Sequence, residues 1–318
     1  MKKYIFFIVV CLSTFYICIK CSQAANFNVA NPPIDKINFT PVIFENEDSK
    51  LKLAGIVFTP KDVKQNEKLP AVLVQGPMGA TKEQTQSLYA QFLASMGYIT
   101  MVYDYSYLGS SQGQPRGLED PQIKASDIKS AVSFIETFPN VDKNRIATVG
   151  ICGSGVYIIG EAVSDNRLKA VVSVNPFTII DEIPYDKNMV AKDKKDYKNS
   201  GLVRRIDLIE DGTEGAEYYF NHKRGAAVNR VVFPTWSEPM WADFHPTEIA
   251  KGITQPYLLV IGENAFTRPG AEKMFDNIAS KDKQKIIIPQ ARHFDMYDGE
   301  NYAIPAINAI NDFLQKRL

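Results

Sequence analysis

Histidine and cysteine are scarce in this chain, 3 and 4 among 318 residues. Cys11, Cys18 and Cys21 fall in the first 24 residues, which leaves Cys152 alone in the remainder. A lone cysteine excludes an intramolecular disulfide there and is either a buried bystander or a reactive thiol. An excess of one charge is also missing: 36 basic side chains balance 36 acidic ones. That balance gives no electrostatic reason to expect nucleic acid or an anionic membrane as the main partner. Internal repeats and low-complexity tracts are absent too. What is abundant is apolar surface, 45% hydrophobic and 11% aromatic residues, enough for a large core and incompatible with a disordered chain.

The opening MKKYIFFIVVCLSTFYICIKCSQA joins two lysines, Lys2 and Lys3, to an apolar run from Tyr4 to Ile19 and small residues near Ala24. This is the layout of a secretory signal peptide, with a cut expected after Ala24. An uncleaved anchor is the competing reading, because the run is near the lower limit for spanning a bilayer. Lys20 sits where a lipoprotein cut before Cys21 would need a small residue. The expectation is residues 1–24 as signal peptide and 25–318 as one domain, exported to a periplasm or beyond, with no membrane contact after cleavage.

From Phe39 onward strands alternate with helices. Runs such as Ala71–Gln75, Ile146–Ile151, Ala170–Val174 and Tyr257–Ile261 are nearly continuous in Val, Ile and Leu, the pattern of strands covered on both faces. Helical spacing follows in Lys82–Met96, from Pro121 to before Pro139, and in Gly155–Val163, Ala271–Ala279 and Ala303–Lys316. The fold class predicted is α/β, a mostly parallel sheet flanked by helices with an antiparallel edge before Leu69. Residues 176–253, charged and aromatic, break the alternation and are too long for an ordinary loop. They are expected to be a lid inserted between the sixth and seventh strands.

The segment TVGICGSGVYIIG, from Thr148 to Gly160, falls between a strand and a helix. A nucleophile elbow needs G-x-nucleophile-x-G at such a turn. Centred on Cys152, the pattern has Gly150 two before and the small Ser154 two after; centred on Ser154, it has Cys152 and the branched Val156. Cys152 is the better nucleophile, and the helix N-terminus is expected to lower its thiol pKa. An inert thiol in a tight turn is the competing reading. Gly153 N–H would face a substrate oxyanion, with Met78 or Gly79 as second donor because Pro77 has no N–H.

A base is needed, and His293 follows the last strand in KIIIPQARHFDMYD, where chain order places it in elbow hydrolases. His222 and His245 fall in the lid. The acid should come from IGENAFTRPG, where Asn264 and Ala265 occupy the usual aspartate positions. Glu263 is the candidate and Asp295 the second. Trp236 and Trp241 of the lid are expected to line an acyl or aryl pocket.

Together KEQTQSLYAQFLASMGY, YDYSYLGSSQGQPRGLEDP, GICGSG and ARHFDMYD resemble the dienelactone hydrolase-like α/β hydrolases, especially their YcjY-like branch, over about Ala54 to Leu314. The resemblance implies an α/β-hydrolase fold and a Cys–His site, Cys152 and His293, acting on esters, lactones or thioesters. The sequence departs from it at Gly76, where relatives often carry histidine, and at Ala265 and Phe266, where an acid is found. The expected function is hydrolysis of a small-molecule ester or acyl substrate through an acyl-cysteine, without metal or organic cofactor. Acyl transfer, ligand binding on a retired scaffold and peptide cleavage are the alternatives. Oligomeric state is not legible.

Overall fold

Strands that are apolar on both faces demand cover on both faces, and the computed structural model, which describes residues 27–225 and 231–318, supplies it with helices. The expected signal peptide, with Cys11, Cys18 and Cys21, lies outside the described residues. The strands are β1 (Ile37–Glu45), β2 (Lys52–Pro60), β3 (Leu69–Gln75), β4 (Ile99–Tyr103), β5 (Val141–Ile151) and β6 (Leu168–Val174). After them come β7 (Arg205–Asp207), β8 (Val232–Pro234), β9 (Tyr257–Gly262) and β10 (Lys283–Ile288). The α-helices are α1 (Thr85–Ser95), α2 (Pro121–Thr137), α3 (Ser154–Ala162), α4 (Lys187–Ser200) and α5 (Glu214–Tyr219). The remainder are α6 (Glu238–Ala242), α7 (Pro246–Ile249), α8 (Arg268–Asn277), α9 (Asp295–Asp298) and α10 (Glu300–Leu314).

Eight strands form one sheet in the order β1-β2-β4-β3-β5-β6-β9-β10. Pairing is parallel from β4 through β10, and antiparallel for β1 with β2 and β2 with β4. The early hairpin therefore forms the antiparallel edge that its missing helix predicts. β5 lies mid-sheet, and its last six residues, Ile146 to Ile151, are fully buried. This is an α/β-hydrolase fold. The elements legible in the sequence recur within a few residues of their expected bounds. α2 starts where Asp120 caps the Gln122 N–H and Pro121 takes a position with no N–H to satisfy.

Between β6 and β9 the chain adds α4 to α7 and one short antiparallel pair, β7 with β8. That pair escapes sequence reading because each strand has only three residues and a helix intervenes. On α4 most of the charged run faces solvent, Lys192 reaching Asp196 at 2.8 Å, but Asp193 is buried, where it accepts from Thr235 Oγ1 at 2.8 Å and pairs with Arg204 from beyond the helix.

Candidate active site

β5 ends at Ile151 and α3 begins at Ser154, so the chain must reverse within two residues. Cys152 takes the strain with φ +56°, a left-handed conformation uncommon for a side-chain-bearing residue and concentrated at functional turns. Its backbone is held on both sides: the N–H donates to Val174 O at 2.9 Å, and the carbonyl accepts from Gly155 and Phe177. Gly150 is obligatory, because a Cβ there would lie 2.2 Å from the Ser154 carbonyl oxygen. Ser154 is fully buried; its hydroxyl donates to the Gly76 carbonyl and meets the Tyr105 hydroxyl at 3.0 Å. It faces away from solvent as the small residue of the turn.

The Cys152 side chain opens into a cavity of about 590 Å³, walled by Met78, Phe177, Ile179, Leu208, Ile209, Tyr219, Phe266, His293, Phe294 and Tyr297 among others. The backbone N–H groups of Met78 and Gly153 both face the sulfur. Gly79, the other candidate donor, is turned away: its N–H is taken by the Glu119 carboxylate. Of the two expected alternatives the structure brings Met78 to the thiol.

Burial, not the helix terminus, dominates the thiol. Desolvation pushes Cys152 up to about 11, further raised by the Glu119 charge, against the hydrogen bonds from Tyr297, Gly153 and Met78. The expectation of a lowered pKa is therefore corrected: a helix N-terminus offers roughly half a charge, which loses to removal from water. His293 is fully buried, and desolvation lowers it to about 3. Thiol and imidazole are both neutral across the physiological range. Iodoacetamide alkylation of Cys152 should accordingly rise about tenfold per pH unit from pH 6 to 10. A plateau near neutrality, read by intact mass, would contradict this.

The His293 ring is held by two hydroxyls, Thr267 Oγ1 at 3.0 Å from Nδ1 and Tyr297 OH at 3.1 Å from Nε2. Its backbone is placed by Asn175, whose side chain donates to the His293 carbonyl at 2.9 Å and accepts from Gly262 N–H at 2.8 Å. That amide ties the ends of β6 and β9 to the histidine loop.

Glu263 does not meet the histidine. It is exposed, and its carboxylate accepts from the Gln290 N–H at 2.8 Å. Lying directly after β9, it sits four residues before the one that reaches the ring. Asp295 is equally committed elsewhere, binding the Arg292 backbone and guanidinium at 3.0 Å. Thr267 stands in the acid's place. Trp236 and Trp241 do not line the cavity either. Trp236 packs with Leu118 and Val190, and Trp241 is buried against Phe233 with its Nε1–H on the Glu119 carbonyl at 2.9 Å. The lid lines the cavity with Ile179, Ile183, Leu208, Ile209 and Tyr219 instead, because the indoles are consumed in anchoring the lid. His245 pairs with Asp181 at 2.9 Å on the exposed side of the lid, and His222 is exposed.

Beneath the loop that carries Met78 and Gly79 lies a charge cluster that sequence reading missed. Lys124 and Glu119, both essentially without exposure, are 3.5 Å apart. The Glu119 carboxylate also accepts from Tyr157 OH at 3.0 Å, and Lys124 further offsets the buried Asp127. A signal existed: Lys124 is four residues before Ile128 and so shares the apolar face of its helix. Among the described residues no group of three or more His, Cys, Asp or Glu could hold a metal, and no helix is long and apolar enough to cross a membrane.

Residues 48–295 match the model of the X-Pro dipeptidyl-peptidase (S15) family. The chain belongs to this family. The S15 chain is a hydrolase by that membership, and solved structures similar to it share its fold. It is 28% identical to the uncharacterised protein YcjY of Escherichia coli K12 over 89% of its own length and 99% of that protein's. The solved structure of the hypothetical protein PA2218 from Pseudomonas aeruginosa superposes with TM-score 0.78 at 26% identity, covering 92% of this S15 chain and 98% of the other. The α/β hydrolase GrgF from Penicillium sp. sh18 superposes at TM-score 0.75 with 18% identity, over 88% and 99% of the two chains. A protein called thiohydrolase, from Eupenicillium brefeldianum, is 27% identical over 74% of this chain and 83% of that one.

Proposed function

We propose that this S15 hydrolase cleaves esters or thioesters of apolar acyl or aryl acids through an acyl-cysteine on Cys152. The observation that carries the reading is a thiol on a left-handed elbow, facing an apolar cavity, with the Met78 and Gly153 N–H groups turned toward it. Those donors would hold the oxyanion as the carbonyl is attacked, the largest single contribution in acyl transfer. His293, oriented by Thr267, takes the thiol proton and later activates water. A neutral hydroxyl orients an imidazole without stabilising its cation, which suits a cysteine better than a serine, since the thiol needs less help to ionise. The thiohydrolase relative supports the thioester arm.

Removal of residues 1–24 and export complete this reading; N-terminal sequencing of protein from the native cell checks them. The main test is a series of p-nitrophenyl esters and aryl thioesters of increasing chain length. kcat/KM should rise at least tenfold from acetyl to hexanoyl as the chain enters the cavity, at about 0.8 kcal/mol per buried CH₂. A flat series would count against the reading. Transfer to an alcohol or amine acceptor in place of water would appear as a new product in the same assay.

A second reading comes from the family description. Glu210 and Glu214 line the cavity and offer carboxylates for a peptide's terminal ammonium, although Glu214 is partly spent on the Phe294 N–H. Release of p-nitroaniline from X-Pro-p-nitroanilide, outpacing every ester, would favour it.

A further inference from the structure

The base and the nucleophile do not touch. Among the described residues the two partners of the His293 ring are Thr267 and Tyr297, so neither nitrogen is bonded to the Cys152 sulfur. What reaches both is one phenol. The Tyr297 hydroxyl is 3.1 Å from His293 Nε2 and also faces the Cys152 sulfur, whose ionised form it favours. All three side chains line the same cavity.

The placement is rigid. Tyr297 is fully buried on α9, one turn after His293, so histidine and phenol are held by the same short segment. Its ring packs edge-on against Tyr218 and Phe294 at centroid distances of 5.0 Å. Its carbonyl accepts from Thr85 Oγ1 at 2.7 Å, pinning the segment to α1.

We propose that Tyr297 is a catalytic residue, a proton relay carrying the Cys152 proton to His293. The inference rests on the Cys–His reading of the preceding section and adds a residue to it. With Nδ1–H donating to Thr267, Nε2 accepts from the Tyr297 O–H while the thiol is neutral; the phenol oxygen is open to the Cys152 S–H proton, and once that proton has moved the phenol donates to the sulfur, the contact that favours its ionised form. As the sulfur bonds to the substrate carbonyl carbon, the carbonyl π pair moves to its oxygen. The thiol proton passes to the Tyr297 oxygen while the phenolic proton passes to Nε2. Tyrosine ends neutral, and the charges formed are the oxyanion and the imidazolium. On collapse the proton returns along the same path to the departing alkoxide or thiolate as its bond to carbon breaks. Water then attacks by the same exchange. Burial holds the phenol well above its ordinary pKa, so no phenolate accumulates and the two protons move together. One intervening hydroxyl is within the reach that general-base catalysis allows.

The experiment is single-turnover acylation by p-nitrophenyl hexanoate in the wild type, Tyr297→Phe, His293→Ala and the double variant. Melting curves establish that each is folded. Tyr297→Phe keeps the ring packing and should acylate at least thirtyfold more slowly. The double variant should be no slower than the worse single variant, because a broken relay cannot be broken twice. In mixtures of H₂O and D₂O the wild-type rate should bow with deuterium content, as two protons in flight require, and straighten in Tyr297→Phe. Tyr297→Phe within threefold of wild type, while His293→Ala is crippled, overturns the relay and leaves the Cys–His reading standing. So does a double variant whose losses multiply, the mark of a merely structural tyrosine. No acylation of Cys152 in the wild type, or full activity in His293→Ala, overturns the Cys–His reading and the relay with it.

Discussion

Cys152→Ala should abolish turnover by at least about 10⁴-fold while leaving the fold and the cavity intact. Alanine keeps the Cβ and the left-handed backbone that the elbow already imposes, and the N–H to Val174 and carbonyl to Gly155 and Phe177 bonds are main-chain. Only the sulfur's own contacts at the cavity wall are lost, and melting should move by no more than about 2 °C. Intact mass after mixing wild type with an aryl ester should show one acyl adduct, and peptide mapping should place it on Cys152. The adduct should be absent in Cys152→Ala. Turnover that survives the substitution would move the chemistry to another group, and Ser154, hydrogen-bonded beneath the turn, is badly placed to supply it. A variant that binds ester tightly while the wild type never turns it over would favour a binding protein on a hydrolase scaffold.

The second large effect is one of stability. Lys124→Met should destabilise the protein by about 3 to 5 kcal/mol at neutral pH, the cost of leaving a buried charge without its partner. Two carboxylates depend on this one ammonium. Glu119 lies 3.5 Å away, and Asp127 is surrounded by Asn46 and Ser106 as neutral donors only. Burial already holds both carboxyls above their ordinary values, with Lys124 the main opposing influence. Without it they climb further.

The sign of the pH dependence follows from that direction. Below the unfolded value of about 4.5 a glutamate is protonated in both states and costs nothing. As pH rises above it the unfolded chain ionises while the buried carboxyl resists, so the destabilisation of Lys124→Met should grow with pH and level off above the folded pKa. Urea midpoints at pH 4 and pH 8 measure this. Adding Glu119→Gln should recover much of the loss, because an amide can accept from Tyr157 and the Gly79 N–H without carrying charge. An equal loss at both pH values would show that packing of the lysine stem, not charge, was responsible. The cluster also bears on the proposed chemistry: Glu119 holds Gly79, next to Met78 whose N–H faces the thiol, and through its carbonyl holds Trp241. Loosening it should lower the acylation rate as well.

How much of this was legible in the sequence differs by kind of residue. The strand–turn–helix context, the glycine two before Cys152 and the position of His293 after the last strand are local patterns, and local patterns survive in one dimension. The orienting group of His293 was not legible. Its expected place after β9 holds Asn264 and Ala265, and attention fell on Glu263 as the one carboxylate nearby; the chain instead turns so that Thr267, at the head of α8, reaches the ring. A hydroxyl carries no charge signature to mark it. The tryptophans mislead for a related reason. Large aromatics in an insertion suggest a pocket wall, but a buried indole needs a partner for its N–H, and Trp241 finds it on Glu119, whose carboxylate holds the Gly79 N–H.

The sequence by itself determined the layers, the mid-sheet strand, the strand-to-helix turn and which thiol and imidazole are the candidates, because periodicity, chain order and the steric demand for Gly150 are properties of neighbouring residues. Only the tertiary structure decided the state of those two groups and what joins them. Burial raises the thiol against the pull of the helix terminus and lowers the imidazole, and a phenol from α9 bonds to the imidazole and faces the sulfur. Desolvation and the meeting of side chains from β5, α8 and α9 depend on how distant segments fill space, and no local pattern encodes that.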